Sequence, residues 1–458
     1  MPVTRTRPSH SERVSPLENK QDVSRKVSRK SETNLEGPEI IVCGQRLQSS
    51  PVFDTFFRFA AERQAIDDRR RSGQSAPYVP WTEDTILQNT KFCNVFRVLD
   101  RLTQYIIREV IEKDSQIAID ILFRIVLFNT FTKIETYELL RRKFGPLTWA
   151  KYDHKAFLDT LERAYRRGDA LYTGAFQKPA PHLGSTMAFH NHLELLYVIM
   201  NELPAVIRGA NYLVEIYEFL AALPGMGPFA AYQLLLNLSY AKFMNFHESD
   251  FVVAGPGALS GLYKMFGNSY LEGQKKVSQF STHVMRWMQE TQQQHFARLN
   301  IEFSGLGPQK LPMQLCDIEH TLCEVDKYSR VAHPQILGLQ KRTRLKAAGF
   351  SSTGPLPPLC LPKAWAHPSR KIPRIREEPP HIEQRYVISS IRKHEVTEGG
   401  RIKLLVHWLG YGEKDDTWED AHKLRQDAPE TVNEYVQAHG LYLDEGSPLS
   451  SLSSNAGE

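Results

Sequence analysis

The sequence predicts a mainly helical domain followed by a small α+β domain, and three observations carry that prediction. From about Ile40 to Phe350 apolar residues recur three and four apart, the spacing of a buried helix face. Residues 351–380 then hold eight prolines and little periodicity, the composition of an extended linker. From Gln384 the pattern alternates with period two around a Glu-Gly-Gly turn and closes on a helix. The expected divisions are a basic tail at 1–38, a helical domain at 40–350, a linker at 351–383, a compact domain at 384–441 and a tail at 442–458.

Composition narrows the function classes. A net charge of +5 over 458 residues means that any surface for nucleic acid comes from local clustering. Five cysteines without a CxxC pair fit a reducing compartment better than a disulfide scaffold. With no signal peptide and no apolar run of membrane-spanning length, a soluble intracellular protein is expected. Residues 1–38 set eight Lys/Arg against five Asp/Glu and are rich in Ser, so this tail is expected to be disordered. Within it, Ser28-Arg29-Lys30-Ser31 suits an import signal, and is also similar to the context in which histone lysines are read.

Along the helical region, Phe53, Phe56, Phe57 and Ala60 predict a helix over Asp54 to Arg71, closed by Gly73. Thr82 is the expected N-cap of the next helix. KFCNVFRVLDRLTQYIIREVI places Phe92, Val95, Phe96, Leu99, Leu102 and Ile106 on one helical stripe. Its polar residues Asn94, Arg97, Asp100 and Arg101 are either a ligand-facing set or an exposed salt-bridged face. The apolar ILFRIVLF then meets a polar break, Asn129-Thr130-Phe131-Thr132, facing a loop or a cleft. Residues 168–184 form a long irregular segment, of the kind that often lines sites.

The centre of the reading is Leu223 to Asp250. In Leu223-Pro224-Gly225-Met226-Gly227, two glycines permit a tight turn and leave the next helix's N–H groups open to a phosphate oxygen. A helix from Ala258 to Phe266 follows Ser249-Asp250. This assembly resembles the helix-hairpin-helix DNA glycosylase superfamily, in which LPGxG is the hairpin and a later Asp stabilises positive charge on the sugar; Asp250 matches that position. The superfamily's lyase lysine would fall at Phe229, so the resemblance does not extend to strand cleavage. The blocks KFCNVFRVLDR, ILFRIVLFNTFT, LPGMGPFAAYQLLLNL, SDFVVAGPG and DIEHTLCEVDKY further resemble the helical domain associated with 5-hydroxymethyluracil DNA kinases. They are also similar to the glutamyl/putrescinyl-thymine pyrophosphorylase group. These resemblances imply DNA as partner, with Gly225, Gly227, Asn94, Arg97, Arg101, Asn129 and Thr130 as DNA-contacting candidates. The chain has no GxxxxGK[ST], so kinase chemistry is not expected of it.

In Cys316 to Tyr328, helical spacing puts Asp317, His320, Glu324 and Lys327 on one polar face. Asp317, Glu319, His320 and Glu324 therefore join Asp250 as catalytic candidates, against the alternative of an acidic face paired with Lys341 to Arg344. Cys316, His320 and Cys323 lack a fourth ligand, so no metal site and no cofactor is expected.

The last domain, RYVISSIRKHEV, RIKLLVHWLGYG, DDTWED and PETVNEYVQAHG, reads as a three-stranded sheet with a closing helix. It resembles a chromodomain. A methylated ammonium is cationic but poorly hydrated, so aromatic faces hold it better than a carboxylate alone. Tyr386, Trp408 and Tyr411 match the cage positions, Asp415 the acidic position beside them, and Trp418 is expected in the core. The resemblance implies a methylated histone H3 tail as partner, added as a strand, and a nuclear, chromatin-bound protein. Two functions stay open for the helical domain: modification or excision of a modified thymine, and non-enzymatic reading.

Overall fold

The computed structural model describes residues 37–72, 81–174, 179–345, 356, 358–397 and 400–443, together with the main chain of 4–6. Most of the basic tail, Ser28 to Ser31 included, and residues 444–458 lie outside the described residues.

Strand β1 is Thr4–Thr6, and a small antiparallel pair, β2 (Glu39–Val42) and β3 (Gln45–Gln48), opens the helical domain. Helix α1 (Pro51–Arg71) starts with Ser50 as N-cap and a proline in its first turn, and buries Phe53, Phe56 and Phe57 completely. A Phe removed from water contributes about 1.5–3 kcal/mol, so this one face anchors the domain. Then follow α2 (Thr85–Asn89), α3 (Arg101–Tyr105), α4 (Ala118–Phe131), α5 (Ile134–Phe144), α6 (His154–Arg166), α7 (Ala188–Gly209) and α8 (Leu213–Ala222). A turn leads to α9 (Pro228–Ser239), then α10 (Pro256–Lys276), α11 (Phe280–Arg298) and α12 (Leu315–Ala332). Among the described residues no helix is long and apolar enough to cross a membrane.

Three local readings change. The N-cap of α2 is Asp84, which accepts from the N–H groups of Ile86 and Leu87, while Thr82 accepts from Asp84 N. The stretch 92–111 is not one helix. Asp100 Oδ1 accepts from Asn94 N and Asn94 Nδ2 donates to Leu99 O, and these side-chain bonds hold an irregular loop ahead of α3. Beyond α3, Ile106–Ile111 is wound as a π-helix. The fully buried guanidinium of Arg124 takes Val110 O near its end and Ser115 O in the loop beyond, each at 2.7 Å. Finally, α10 runs through Gly267 with a kink there instead of ending.

The proline-rich segment is a strap across the helical domain. Arg370, 3% exposed, donates to Ser239 O at 2.7 Å and pairs with Glu248 at 2.9 Å. Arg376 pairs with Glu218, and Gln384 donates to Ala222 O.

The C-terminal domain has β4 (Arg385–Val396), β5 (Ile402–Trp408) and β6 (Thr417–Asp420) in antiparallel order, then α13 (Ala421–Asp427) and α14 (Pro429–Ala438). Burial alternates along β5, which packs Leu404, Val406 and Trp408 under the helices. On the edge strand β6 the phase is the reverse of that expected: Trp418 is 43% exposed and Glu419 faces in. The sheet is four-stranded because β1 pairs with β4 on its outer side.

Candidate functional site

In the helical domain the polar candidates gather where the 92–100 loop meets α9 and α12. Arg97 donates from Nη2 to Gln233 Oε1 of α9 at 2.6 Å, and its main-chain N–H goes to Asp317 Oδ1 of α12 at 2.9 Å. Asp317 Oδ2 accepts from Gln314 N, completing a capping box at the start of α12. Burial pushes the Asp317 carboxyl up to about 7, against the pull of these two N–H donors. Glu319 Oε1 accepts from Gly255 N at 3.0 Å. Glu324 accepts from Cys93 N at 3.1 Å and pairs with Lys327 at 2.5 Å. Three α12 carboxylates are thus engaged with main-chain N–H groups, and two of them hold the 92–97 loop in place.

His320 is differently placed. Its Nε2 lies 3.2 Å from Asp100 Oδ2, and burial opposed by the Asp100 and Cys93 bonds leaves the ring pKa well above its ordinary value. Cys93, Asp100 and His320 bring one Sγ, one carboxylate oxygen and one ring nitrogen within 4.8 Å of one another. That donor set is able to hold a metal ion, and it replaces Cys316, His320 and Cys323: of those three only His320 converges. Cys93 is exposed as a residue, but partial desolvation of its thiol and the Asp100 and Glu324 carboxylates push that thiol up.

Around Arg97 several buried hydrogen-bonding atoms have no partner. They are Asn94 Oδ1, Arg97 Nε, Tyr232 OH and, one turn along α9, Asn237 Oδ1. Leaving one such group unsatisfied in a dry interior costs about 1–3 kcal/mol. Asn237 also donates to Asn129 Oδ1 at 3.0 Å, which ties Asn129 to the same face of α9. Thr130 is turned back onto Val126 O, and Arg101 is exposed. Sequence reasoning passed over Gln233, Tyr232 and Asn237. The signal was there: Gln233 and Asn237 stand four apart on an otherwise apolar helix.

Asp250 lies apart from this cluster. It is 4% exposed; Oδ2 accepts from His247 N at 2.9 Å and Oδ1 from Arg374 N at 2.8 Å. The strap therefore covers the carboxylate, and burial raises its pKa.

The turn before α9 has Met226 N donating to Leu223 O, with Gly225 at φ +71°. A Cβ on Gly225 would meet Pro181 Cα at 2.8 Å, so the turn is seated on the 179–187 loop and needs glycine there. Gly227, the N-cap of α9, faces open space.

In the small domain Tyr386 lies edge-on to Trp408 at 6.1 Å and to Tyr411 at 5.7 Å between ring centroids. The Trp408 indole donates to Thr417 Oγ1, which fixes its plane. Asp415 accepts from Gly412 N within the following turn. The trio also meets the helical domain: His182 stands edge-on to Tyr411 at 5.7 Å, and a Cβ at Gly410 would touch His182 O at 2.5 Å.

Fold and site together define a helical domain with polar side chains gathered against α9, followed by a small sheet domain with an aromatic trio. Residues 50–338 match the family described as 5-hmdU DNA kinase, helical domain, and the chain belongs to that family. Residues 386–438 match the Chromo (chromatin organisation modifier) domain. A curated relative, the 5-hmdU DNA kinase of Bacillus phage SP10, is 25% identical over 297 residues, 60% of this chain and 45% of that protein. The chain thus spans less than half the length of that relative. No solved structure matches.

Proposed function

We propose that this is a chromatin-associated, nuclear protein that reads a methylated histone H3 tail with its chromodomain and holds a modified pyrimidine of DNA against α9 of its helical domain. The observation that carries the DNA half is the unspent donor and acceptor set at Asn94, Arg97, Tyr232 and Asn237. A pyrimidine imide presents one N–H between two carbonyl oxygens, which such a mixed set satisfies. A base reaches a buried site only when turned out of the duplex. The open start of α9 at Gly227, with exposed Arg101, supplies phosphate contacts. The family match supports a modified thymine as the base. The aromatic trio at Tyr386, Trp408 and Tyr411 suits a methylated ammonium.

A second reading, chemistry on that base, rests on Cys93, Asp100 and His320. Here an imidazole held by a carboxylate and placed beside a thiol is the reactive group, while Asp250, Asp317, Glu319 and Glu324 hold main chain. The full chain is incubated with duplexes containing thymine or 5-hydroxymethyluracil, and both binding and nucleoside mass are measured. Tighter binding of the modified duplex, lost in Arg97→Ala by about 10–100-fold, is expected from removal of a charged hydrogen-bonding group. Equal affinity for both duplexes ends the modified-base reading. Base release or an adduct, abolished by His320→Ala, establishes the second reading.

A further inference from the structure

The outer edge of β4 is already taken by the chain itself. Thr4 lies opposite Val387, Arg5 opposite Tyr386 and Thr6 opposite Arg385, antiparallel, and the main chain of β1 also runs close to α13. We propose that the N-terminal strand is an internal competitor for the chromodomain's peptide edge, so that a histone tail binds only after β1 has left. This rests on the reading of the domain as a methyl-lysine reader.

A strand edge offers each N–H and C=O to one partner at a time, so two segments cannot pair with Arg385–Val387 together. The contested register is centred on Tyr386, one wall of the aromatic trio. Trp408, a second wall, packs with Leu404 and Val406 in the domain's own core, so the competition is for the main-chain edge beside Tyr386. The sequence suits a strand that comes and goes. Val3-Thr4-Arg5-Thr6 is β-branched and basic, and Pro8, without an N–H, limits how far pairing can extend. Three residues make few bonds, but a tethered segment acts at an effective concentration of order millimolar, enough to fill a weak site.

If the closed form holds about 90–99% of the molecules, the apparent peptide affinity falls about 10–100-fold. The test measures binding of a trimethyl-lysine H3 peptide by fluorescence polarisation. It compares the full chain, a form lacking residues 2–7, and the double variant Thr4→Pro, Arg5→Pro. Since successive N–H groups of a strand point to opposite sides, the double variant removes whichever one faces β4. Tighter binding by both altered forms, with faster hydrogen exchange at Arg385–Val387 in the absence of peptide, is expected. Equal affinity in all three forms overturns the competition and leaves the reader intact. Absence of binding by every form, the shortened one included, overturns the reader and the competition with it.

Discussion

At the scale of single residues, the polar side chains divide into those that hold the main chain and those with hydrogen-bonding atoms to spare. Asp250 belongs to the first kind. Asp250→Ala leaves two partly buried N–H groups without an acceptor and is expected to destabilise by roughly 1–3 kcal/mol, read by chemical denaturation; a loss below about 0.5 kcal/mol would show that the strap does not depend on it. Asp317 gives a pH signature. Its pKa in the folded chain is about 7, above the ~3.9 of an unfolded aspartate. A raised carboxylate contributes stability that is full below the unfolded pKa and is lost as pH climbs through about 4 to 7. Asp317→Asn cannot ionise, so its stability should fall less over that window than the parent's; parallel curves would refute the shift. Arg97 does both: its loss takes the donor from buried Gln233 Oε1 and should cost about 1–3 kcal/mol of stability, so the weaker DNA binding expected of Arg97→Ala is to be measured below its melting transition.

At the scale of elements, glycine positions separate structure from contact. Gly225 combines a positive φ with a close approach to Pro181, so Gly225→Ala should cost at least about 1–2 kcal/mol. Gly227→Ala meets nothing inside the protein. It should leave the melting temperature almost unchanged yet weaken DNA binding in a gel shift, because the new methyl group stands where a phosphate would approach. Most elements were legible in the sequence, since the apolar spacing that marks α1, α4, α7 and α9 is the spacing that buries them. The 92–111 stretch was not: its apolar stripe is real, but Asn94 and Asp100 bond to nearby main chain and divert it. The strap was read as a linker because prolines hide no signal of docking; its contacts come from Arg370, Arg374 and Arg376 finding carboxylates and carbonyls far away in the chain. The spacing of Asp250 after the hairpin says nothing of the strap residue Arg374, whose N–H covers it. The polar contacts of α9 depend on Arg97 and Asn129, 136 and 108 residues away in the chain, and could only be glimpsed through Gln233 and Asn237.

At the scale of the whole molecule, the strap makes the helical domain longer than its family match. A form ending at residue 350 lacks the partners of Glu248, Asp250 and Glu218 and should melt well below one ending at 384, since leaving a buried charge without its partner costs about 3–5 kcal/mol. Equal melting temperatures would show the strap to be incidental. The loop 179–187 has a wider consequence. Pro181 fills the space at Gly225 while His182 and Gly184 lie against Gly410 and Tyr411. One loop thus touches both the turn before α9 and the ring of Tyr411. For the two ligands proposed above, thermodynamic reciprocity would fix a relation: whatever factor a histone peptide imposed on DNA affinity, DNA would impose on peptide affinity, and Gly410→Ala should alter both factors together.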